Sequence, residues 1–444
     1  MDYIVSTPCG DVRGCPGRVP GTVAYKGIRY ATAGRWEYPK PVTSWEGVYD
    51  ATEYGAACYQ PRTYFTEAEN QKKVFYYNEF RKGGNFTYSE DCLFLNIFTP
   101  ETVQEKMPVL VYIHGGGYTG GCSHERHFDG PIWPTRGIVG VTINYRLGPW
   151  GFACLPELKE EAGHTGNYGL FDQMTAIRWV KDNIAAFGGD PENITIMGQS
   201  AGAASVQLLS CSPLTEGLFQ KAIMSSGCGI GNMLAGTEEK SCAFWQAVMN
   251  RCGCETLEQF RQLPPEQLYK AWKSGQQELK GGMSAVFPIT DGVFTVKGAK
   301  PHSIPYMAGT TSEDMAPPII QSMARRWIAK QEKPSYTWLF DRQLPGDHNG
   351  AWHSSDLWYW FGTLENSWRP MEQKDFDLSQ QMVAYLENFL RKGNPNKGGQ
   401  LPTWVASDRT QTKVMVLGEK DTAMGRPNWL KMIYTMLFRK TVGV

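Results

Sequence analysis

Along much of the chain, short wholly apolar runs alternate with polar, small-residue turns and occasional amphipathic stretches. Residues 108–113 read Pro-Val-Leu-Val-Tyr-Ile, and residues 138–145, 194–197 and 222–226 are similarly rich in Val, Ile and Met. Continuous hydrophobicity over such short runs, without period-two alternation, predicts strands covered on both faces by helices. Over 170–187 the apolar residues Ile177, Val180 and Ile184 fall near one helical face, and Gly188-Gly189 supplies the stop. The alternation continues with a strand at 304–309, helices near 375–391 and 428–439, and a strand at 413–417 between those helices.

The first fifty residues obey a different rule. Extended runs at 5–13 and 22–30 are punctuated by Gly and Pro, the pattern of hairpins. Residues 60–89 set Phe65, Phe75, Tyr76, Tyr77 and Phe80 among charges, which predicts an irregular loop and helix lying over the body. Together these patterns predict an α/β fold of the doubly wound kind, a central, mostly parallel twisted sheet flanked by helices. Repeats, low-complexity tracts and Pro/Ser-rich linkers are absent from the sequence, so a single domain over 1–444 is expected.

Composition narrows the partners. Lys plus Arg and Asp plus Glu both count 44, leaving no basic field to recruit nucleic acid or an anionic membrane. No apolar run approaches the roughly 18 residues of a membrane span, and the first residues lack the basic and apolar regions of a signal peptide. The 11 cysteines are scattered and odd in number, which reads as reduced thiols. A cytoplasmic location is therefore expected, with secretion open if a signal peptide was removed. Cys252-Gly-Cys254 is too tight for a zinc ribbon, so no metal site is expected.

The candidate chemistry centres on residues 193–205, where the apolar run 194–197 meets Gly198-Gln199-Ser200-Ala201-Gly202 and then small residues suited to a helix start. G-x-S-x-G between strand and helix is the signature of a strained turn that lifts a serine hydroxyl clear of the backbone. Serine is a weak nucleophile unless a base takes its proton, and that base needs an orienting acid. In this architecture acid and histidine follow the serine in that order. Only His302, His348 and His353 do so. His302 precedes a predicted strand in Lys-Pro-His-Ser-Ile-Pro and reads as a surface loop residue. His348 reads as solvated, and His353, followed by Trp358-Tyr-Trp-Phe361, is the preferred base. Asp314 is the preferred acid, just past the predicted strand at 304–309, with its neighbour Glu313 open as the alternative. The run His114-Gly-Gly-Gly offers the amides of Gly116 and Gly117, which with that of Ala201 make a set of oxyanion donors. Tyr118, Gln199, Trp352 and Trp358 are candidates for contact with a substrate, as is Trp360.

Several longer stretches carry a resemblance. Ser89-Glu-Asp-Cys-Leu-Phe-Leu-Asn, His114-Gly-Gly-Gly-Tyr118, Asn144-Tyr-Arg-Leu-Gly, Asn183-Ile-Ala-Ala-Phe-Gly-Gly-Asp-Pro-Glu-Asn-Ile-Thr and Gly198-Gln-Ser-Ala-Gly-Ala resemble the type-B carboxylesterase family. The resemblance covers most of the chain and is strongest over 89–227. It implies an α/β-hydrolase fold and cofactor-free hydrolysis of carboxylic esters through an acyl-enzyme, with short to medium acyl chains expected and a bulky alcohol open. It further implies Ser200, Asp314 and His353 as a triad, a monomer or homodimer, and structural ion pairs Arg35–Glu90 and Arg146–Asp172.

Departures from the family pattern qualify the expectation. Gln199 stands where the family often has Glu, which weakens the case for a cationic alcohol, and Met315 replaces the usual Gly after the acid. The 39 positions from Asp314 to His353 are fewer than usual, which implies a reduced helical cap and a wider entrance. Cys58 and Cys92 match a pair that is bonded in secreted relatives and are expected to lie reduced but close. Two other readings fit the same residues: an amidase, carbamate or feruloyl-type hydrolase with the same triad, and a non-catalytic cholinesterase-like binding module.

Overall fold

The computed structural model describes residues 2–71, 73–103, 105–230, 236–278, 287–396, 401–418, 422–439 and 442. Twelve strands form one path: β1 (Tyr3–Thr7), β2 (Gly10–Pro16), β3 (Thr22–Arg29), β4 (Phe94–Pro100), β5 (Met107–Ile113), β6 (Val139–Ile143), β7 (Gly189–Gln199), β8 (Lys221–Ser225), β9 (Tyr306–Thr311), β10 (Tyr336–Asp341), β11 (Val414–Gly418) and β12 (Ala423–Gly425). Their spatial order is β1-β2-β3-β4-β6-β5-β7-β8-β9-β10-β11-β12. From β6 to β11 every neighbouring pair is parallel. The N-terminal strands pair antiparallel, as the Gly and Pro punctuation predicts.

Strands β5, β6 and β8 are buried at every position, so helices must cover both faces. Those helices include α1 (Tyr168–Asn183), α2 (Ala201–Cys211), α3 (Glu238–Arg251), α4 (Pro265–Glu278), α5 (Pro317–Ile328), α6 (Gln373–Lys392) and α7 (Trp429–Phe438). One core cluster gathers β5, β6 and β7 with α1 and α2; a second packs α6 against Trp338, Trp358 and Phe361. Strand β10 and helices α3, α4 and α5 add to the elements legible in the sequence.

The path reverses between β5 and β7: β6 lies on one side of β5, and β7 with everything after it lies on the other. In an open parallel sheet the crevice beyond the carboxyl ends at such a point is where ligands bind. The loop after β5 carries Gly115–Gly117, and the turn after β7 carries Ser200. Both predicted ion pairs are present. Arg146 grips Asp172 through Nε and Nη2 at 2.8 and 2.7 Å, both side chains fully buried, and Arg35 holds Glu90 the same way. Among the described residues no helix is long and apolar enough to cross a membrane.

Candidate active site

Ser200 joins β7 to α2 with φ +57° and ψ −124°, a left-handed conformation that few non-glycine residues accept. Its neighbours explain why it is held there. A Cβ on Gly198 would lie 2.3 Å from the Gly202 carbonyl carbon, and one on Gly202 would lie 2.1 Å from the Ile113 carbonyl oxygen. Strand and helix close on each other at those two glycines and force the bend between them. The Ser200 amide donates to the Ser225 carbonyl at 2.9 Å, tying the turn to β8. Gln199 and Ala201 on either side are buried, whereas Ser200 is partly exposed.

The glycine loop after β5 passes directly beside this turn. A Cβ on Gly115 would lie 2.7 Å from the Gln199 carbonyl oxygen and 3.0 Å from Ser200 Cβ. Gly116 and Gly117 then run at φ +109° and +62°, and a Cβ on Gly116 would lie 2.2 Å from the Gly120 carbonyl oxygen. Among the described residues the amides of Gly116, Gly117 and Ala201 donate to no protein acceptor. Three uncommitted donors therefore border a partly exposed serine. Ala201 also opens α2, whose N-terminal dipole favours negative charge at that spot.

Asp314 and His353 are brought together. His353 Nδ1 lies 2.6 Å from Asp314 Oδ1, with the carboxylate wholly buried. The other oxygen accepts from Ser226 Oγ and Thr310 Oγ1, both at 2.6 Å, and from Thr311 Oγ1 at 3.2 Å, while the Met315 amide donates to Oδ1 at 2.7 Å. Burial alone would push the Asp314 carboxyl up. The adjacent imidazolium and the surrounding hydroxyls outweigh it and hold Asp314 well below the usual carboxylate range. For His353, burial opposes the charged form, but the Asp314 carboxylate overcomes it and raises the imidazole above its ordinary value.

Glu313 points elsewhere. Its carboxylate accepts from the Ala351 amide at 2.9 Å and pairs with Lys431 Nζ of α7 at 2.8 Å. The Glu313 amide in turn donates to the Ala351 carbonyl at 3.0 Å, a bridge that fastens the loop after β9 to the loop carrying His353. One of the two carboxylates thus holds the imidazole and the other holds its loop. His348 is exposed, and His302 bonds the Ser212 carbonyl through Nε2 at 3.0 Å.

One contact departs from expectation. The atom at His353 Nε2 is not Ser200 Oγ but the side-chain amide of Gln199, at 3.1 Å. With Nδ1–H given to Asp314, Nε2 bears a lone pair and Gln199 donates to it. The sequence singled out Gln199 as a substrate contact and as the residue standing where the family often has Glu; a pairing across 154 positions has no local signal.

The expectation that Trp352, Trp358 and Trp360 line a pocket is corrected. All three are at most 1% exposed. Trp352 packs against Phe75 and Phe80 with ring centroids 5.1 and 5.7 Å apart, and Trp358 against Phe80 at 5.7 Å. Tyr76 of the same overlying segment donates to the His353 carbonyl at 3.1 Å. These rings shore up the histidine loop. Tyr118 is likewise fully buried, its ring edge-on to Phe152. Cys58 and Cys92 lie side by side as free buried thiols, and burial pushes that of Cys92 well up.

Asp356, a residue the sequence reading passed over, is buried three positions beyond His353. Its Oδ2 accepts from Ser225 Oγ at 2.7 Å and Trp360 Nε1 at 3.2 Å, and its Oδ1 has no partner. Burial, aided by the Asp314 charge, raises its carboxyl to about 6. A raised carboxyl favours the folded state while protonated, and that advantage fades as pH climbs from near 4 through about 6. Asp356→Asn is thus expected to gain thermal stability relative to the parent as pH goes from 5 to 7.5, by about 1 kcal/mol. Paired melting curves at the two pH values check it.

A carboxylesterase family model matches residues 1–325 and 316–431. The chain belongs to the carboxylesterase family. It is 39% identical over 277 residues to para-nitrobenzyl esterase of Bacillus subtilis (strain 168), covering 60% of this chain and 52% of that protein. It is 37% identical over 241 residues to fumonisin B1 esterase of Sphingopyxis macrogoltabida, covering 52% of this chain and 41% of that one. The matched stretches thus span about half or less of these carboxylesterases' own lengths. A solved structure of PNB esterase aligns with a TM-score of 0.82 at 27% identity, covering 98% of this chain and 100% of that one. The fold is accordingly that of the α/β-hydrolases, a large, mostly parallel sheet flanked by helices.

Proposed function

We propose that the protein is a serine carboxylesterase that cleaves small carboxylic esters through an acyl-enzyme on Ser200. The observation that carries the proposal is the convergence of three separate loops. A strained, partly exposed serine follows β7, uncommitted amides follow β5, and a buried Asp314–His353 pair reaches the same end of the sheet. In this reading His353 Nε2 takes the Ser200 proton as Oγ attacks the ester carbonyl. The amides of Gly116, Gly117 and Ala201 receive the tetrahedral oxyanion. Asp314, kept ionised by its hydroxyl neighbours, holds the imidazole and stabilises its charged form. Protonated leaving-group oxygen departs as alcohol, and water activated by His353 then releases the acid. Every residue assigned comes from one chain, so monomer and homodimer serve equally, and neither cofactor nor nucleic acid is required.

Neutral, short to medium acyl esters are the proposed substrates. Gln199 carries no charge to attract a cationic alcohol, and the similar proteins named above include esterases of para-nitrobenzyl and fumonisin substrates. The test is hydrolysis of p-nitrophenyl acetate and butyrate by the parent and Ser200→Ala, with an organophosphate mass label alongside. Activity lost in the variant and a label on Ser200 are expected. An unlabelled, inactive parent would overturn the proposal.

Gln199 sets a second expectation. Gln199→Glu would place a carboxylate where the amide now meets Nε2, stabilising the imidazolium and raising His353 further. Because the base must be neutral, the acidic limb of kcat/KM against pH should move alkaline by about one unit. A profile that stays put would show that Gln199 does not face the working imidazole.

A further inference from the structure

Away from the site just described, two thiols meet that neither the motif pattern nor the esterase chemistry employs. Cys154 follows the short turn Gly148–Gly151 and Phe152, and Cys242 lies in the first turns of α3. Their sulfurs are 2.9 Å apart, well inside the sum of two sulfur radii and only about 0.9 Å beyond a disulfide bond length. The two residues are 88 positions apart, so the approach is made by tertiary structure alone. Cys154 is fully buried, whereas Cys242 is half-buried.

The surroundings make the pair reactive and directional. Cys154 Sγ lies 3.7 Å from the Glu238 carbonyl, and Lys159 Nζ bonds Glu238 Oε1 at 2.6 Å above the same turn. The two sulfurs share one hydrogen bond. The hydrogen bond from Cys154 lowers the Cys242 thiol, and Lys159 nearby works the same way, while the same hydrogen bond and burial push Cys154 up. The more acidic sulfur is therefore also the one that solvent can reach, the arrangement of an attacking cysteine with a resolving partner behind it.

We propose that Cys154 and Cys242 form a redox site, at which a small-molecule disulfide such as oxidised glutathione converts the two thiols into a bond that fastens α3 to the segment after Gly148–Gly151. Cys242 thiolate attacks one glutathione sulfur, forming a mixed disulfide and expelling the first glutathione thiolate. Cys154 Sγ then attacks Cys242 Sγ, expelling the second glutathione thiolate, which takes up the Cys154 proton. Two protein thiols are oxidised and one glutathione disulfide is reduced to two glutathione molecules. The bond would close an 88-position span containing Ser200, and shortening the unfolded chain's freedom by that much stabilises the fold.

The purified full chain is incubated with oxidised or reduced glutathione, alkylated without unfolding, digested and mapped by mass. Oxidation is expected to yield one peptide pair joined through Cys154 and Cys242. A rise in Tm of about 5 °C, reversed by dithiothreitol, should accompany it. The bond of any other pair, such as Cys58 with Cys92, is separated by the same map. Cys242→Ser and, independently, Cys154→Ser should each abolish the joined peptide and the dithiothreitol-sensitive part of Tm. Recovery of Cys242 as alkylated thiol or stable glutathione adduct, with no joined peptide at any oxidant ratio, would overturn the proposal.

Discussion

Asp314→Asn should lower kcat for p-nitrophenyl esters by about 10⁴-fold with little change in KM, while Glu313→Gln retains most of the activity. The contrast rests on geometry, since both residues are acidic, adjacent and nearly buried. At 2.6 Å from Nδ1, Asp314 fixes which imidazole nitrogen carries the proton. An asparagine can turn its NH₂ toward Nδ1 and so leave the proton on Nε2, where it blocks the proposed acceptance from Ser200. The hydroxyls of Ser226, Thr310 and Thr311 would still fill the site around the amide, so the fold should survive. Glu313→Gln keeps a group able to accept from the Ala351 amide but loses the charge paired with Lys431. It should therefore destabilise the loop contact more than it slows turnover. Steady-state kinetics with parallel melting curves separate the two outcomes. An Asp314→Asn variant as active as Glu313→Gln would return the acid assignment to the alternative left open by the sequence.

Gly116→Ala should reduce kcat by on the order of 100-fold or more without unfolding the chain. At φ +109° an alanine is strained in any surroundings, and here its Cβ would meet the Gly120 carbonyl oxygen at 2.2 Å. The loop must shift, carrying the amides of Gly116 and Gly117 away from Ser200. A donor aimed at an oxyanion loses most of its value when displaced by even half an ångström, because the geometry was set before charge developed. Labelling by an organophosphate should slow in step with ester hydrolysis, while circular dichroism stays near that of the parent. Full activity in a folded variant would remove the glycine loop from the proposed mechanism.

Legibility in the sequence followed burial. Strands covered on both faces announce themselves as unbroken apolar runs, and β5, β6, β7 and β8 all lie where those runs stand. Helices α6 and α7 were legible to within about two residues at each end, and α1 from its apolar face, although it ends at Asn183, four residues short of the expected Phe187. Strand β10 was not, because Tyr-Thr-Trp-Leu-Phe-Asp mixes polar and aromatic positions and reads equally as a loop. Helix α5 begins with Pro317-Pro318, which reads as a break although proline suits a helix's first turn. Within the site, Ser200 and the glycine run were legible because both are backbone devices with local signatures. The Asp314 and Glu313 alternatives could be separated only by side-chain direction, which a list of adjacent carboxylates does not carry. Trp352 and Trp358 misled for a related reason: an aromatic side chain serves a pocket wall and a packed core with the same chemistry.

The hydrogen bond between Gln199 and His353 has a consequence for how the protein would meet electrophiles in general. A serine whose base is already engaged by a neighbouring amide is held unarmed. On the proposed mechanism, arming it requires the Gln199 side chain to give up the imidazole, and an incoming group that occupies the crevice can trade a contact of its own for the one Gln199 loses. A small reagent such as p-nitrophenyl acetate or an organophosphate brings less of such a contact and should therefore react with Ser200 more slowly than a molecule that fills the crevice. The free protein would thus be guarded against wasteful self-modification, with reactivity conferred by the molecule that fits.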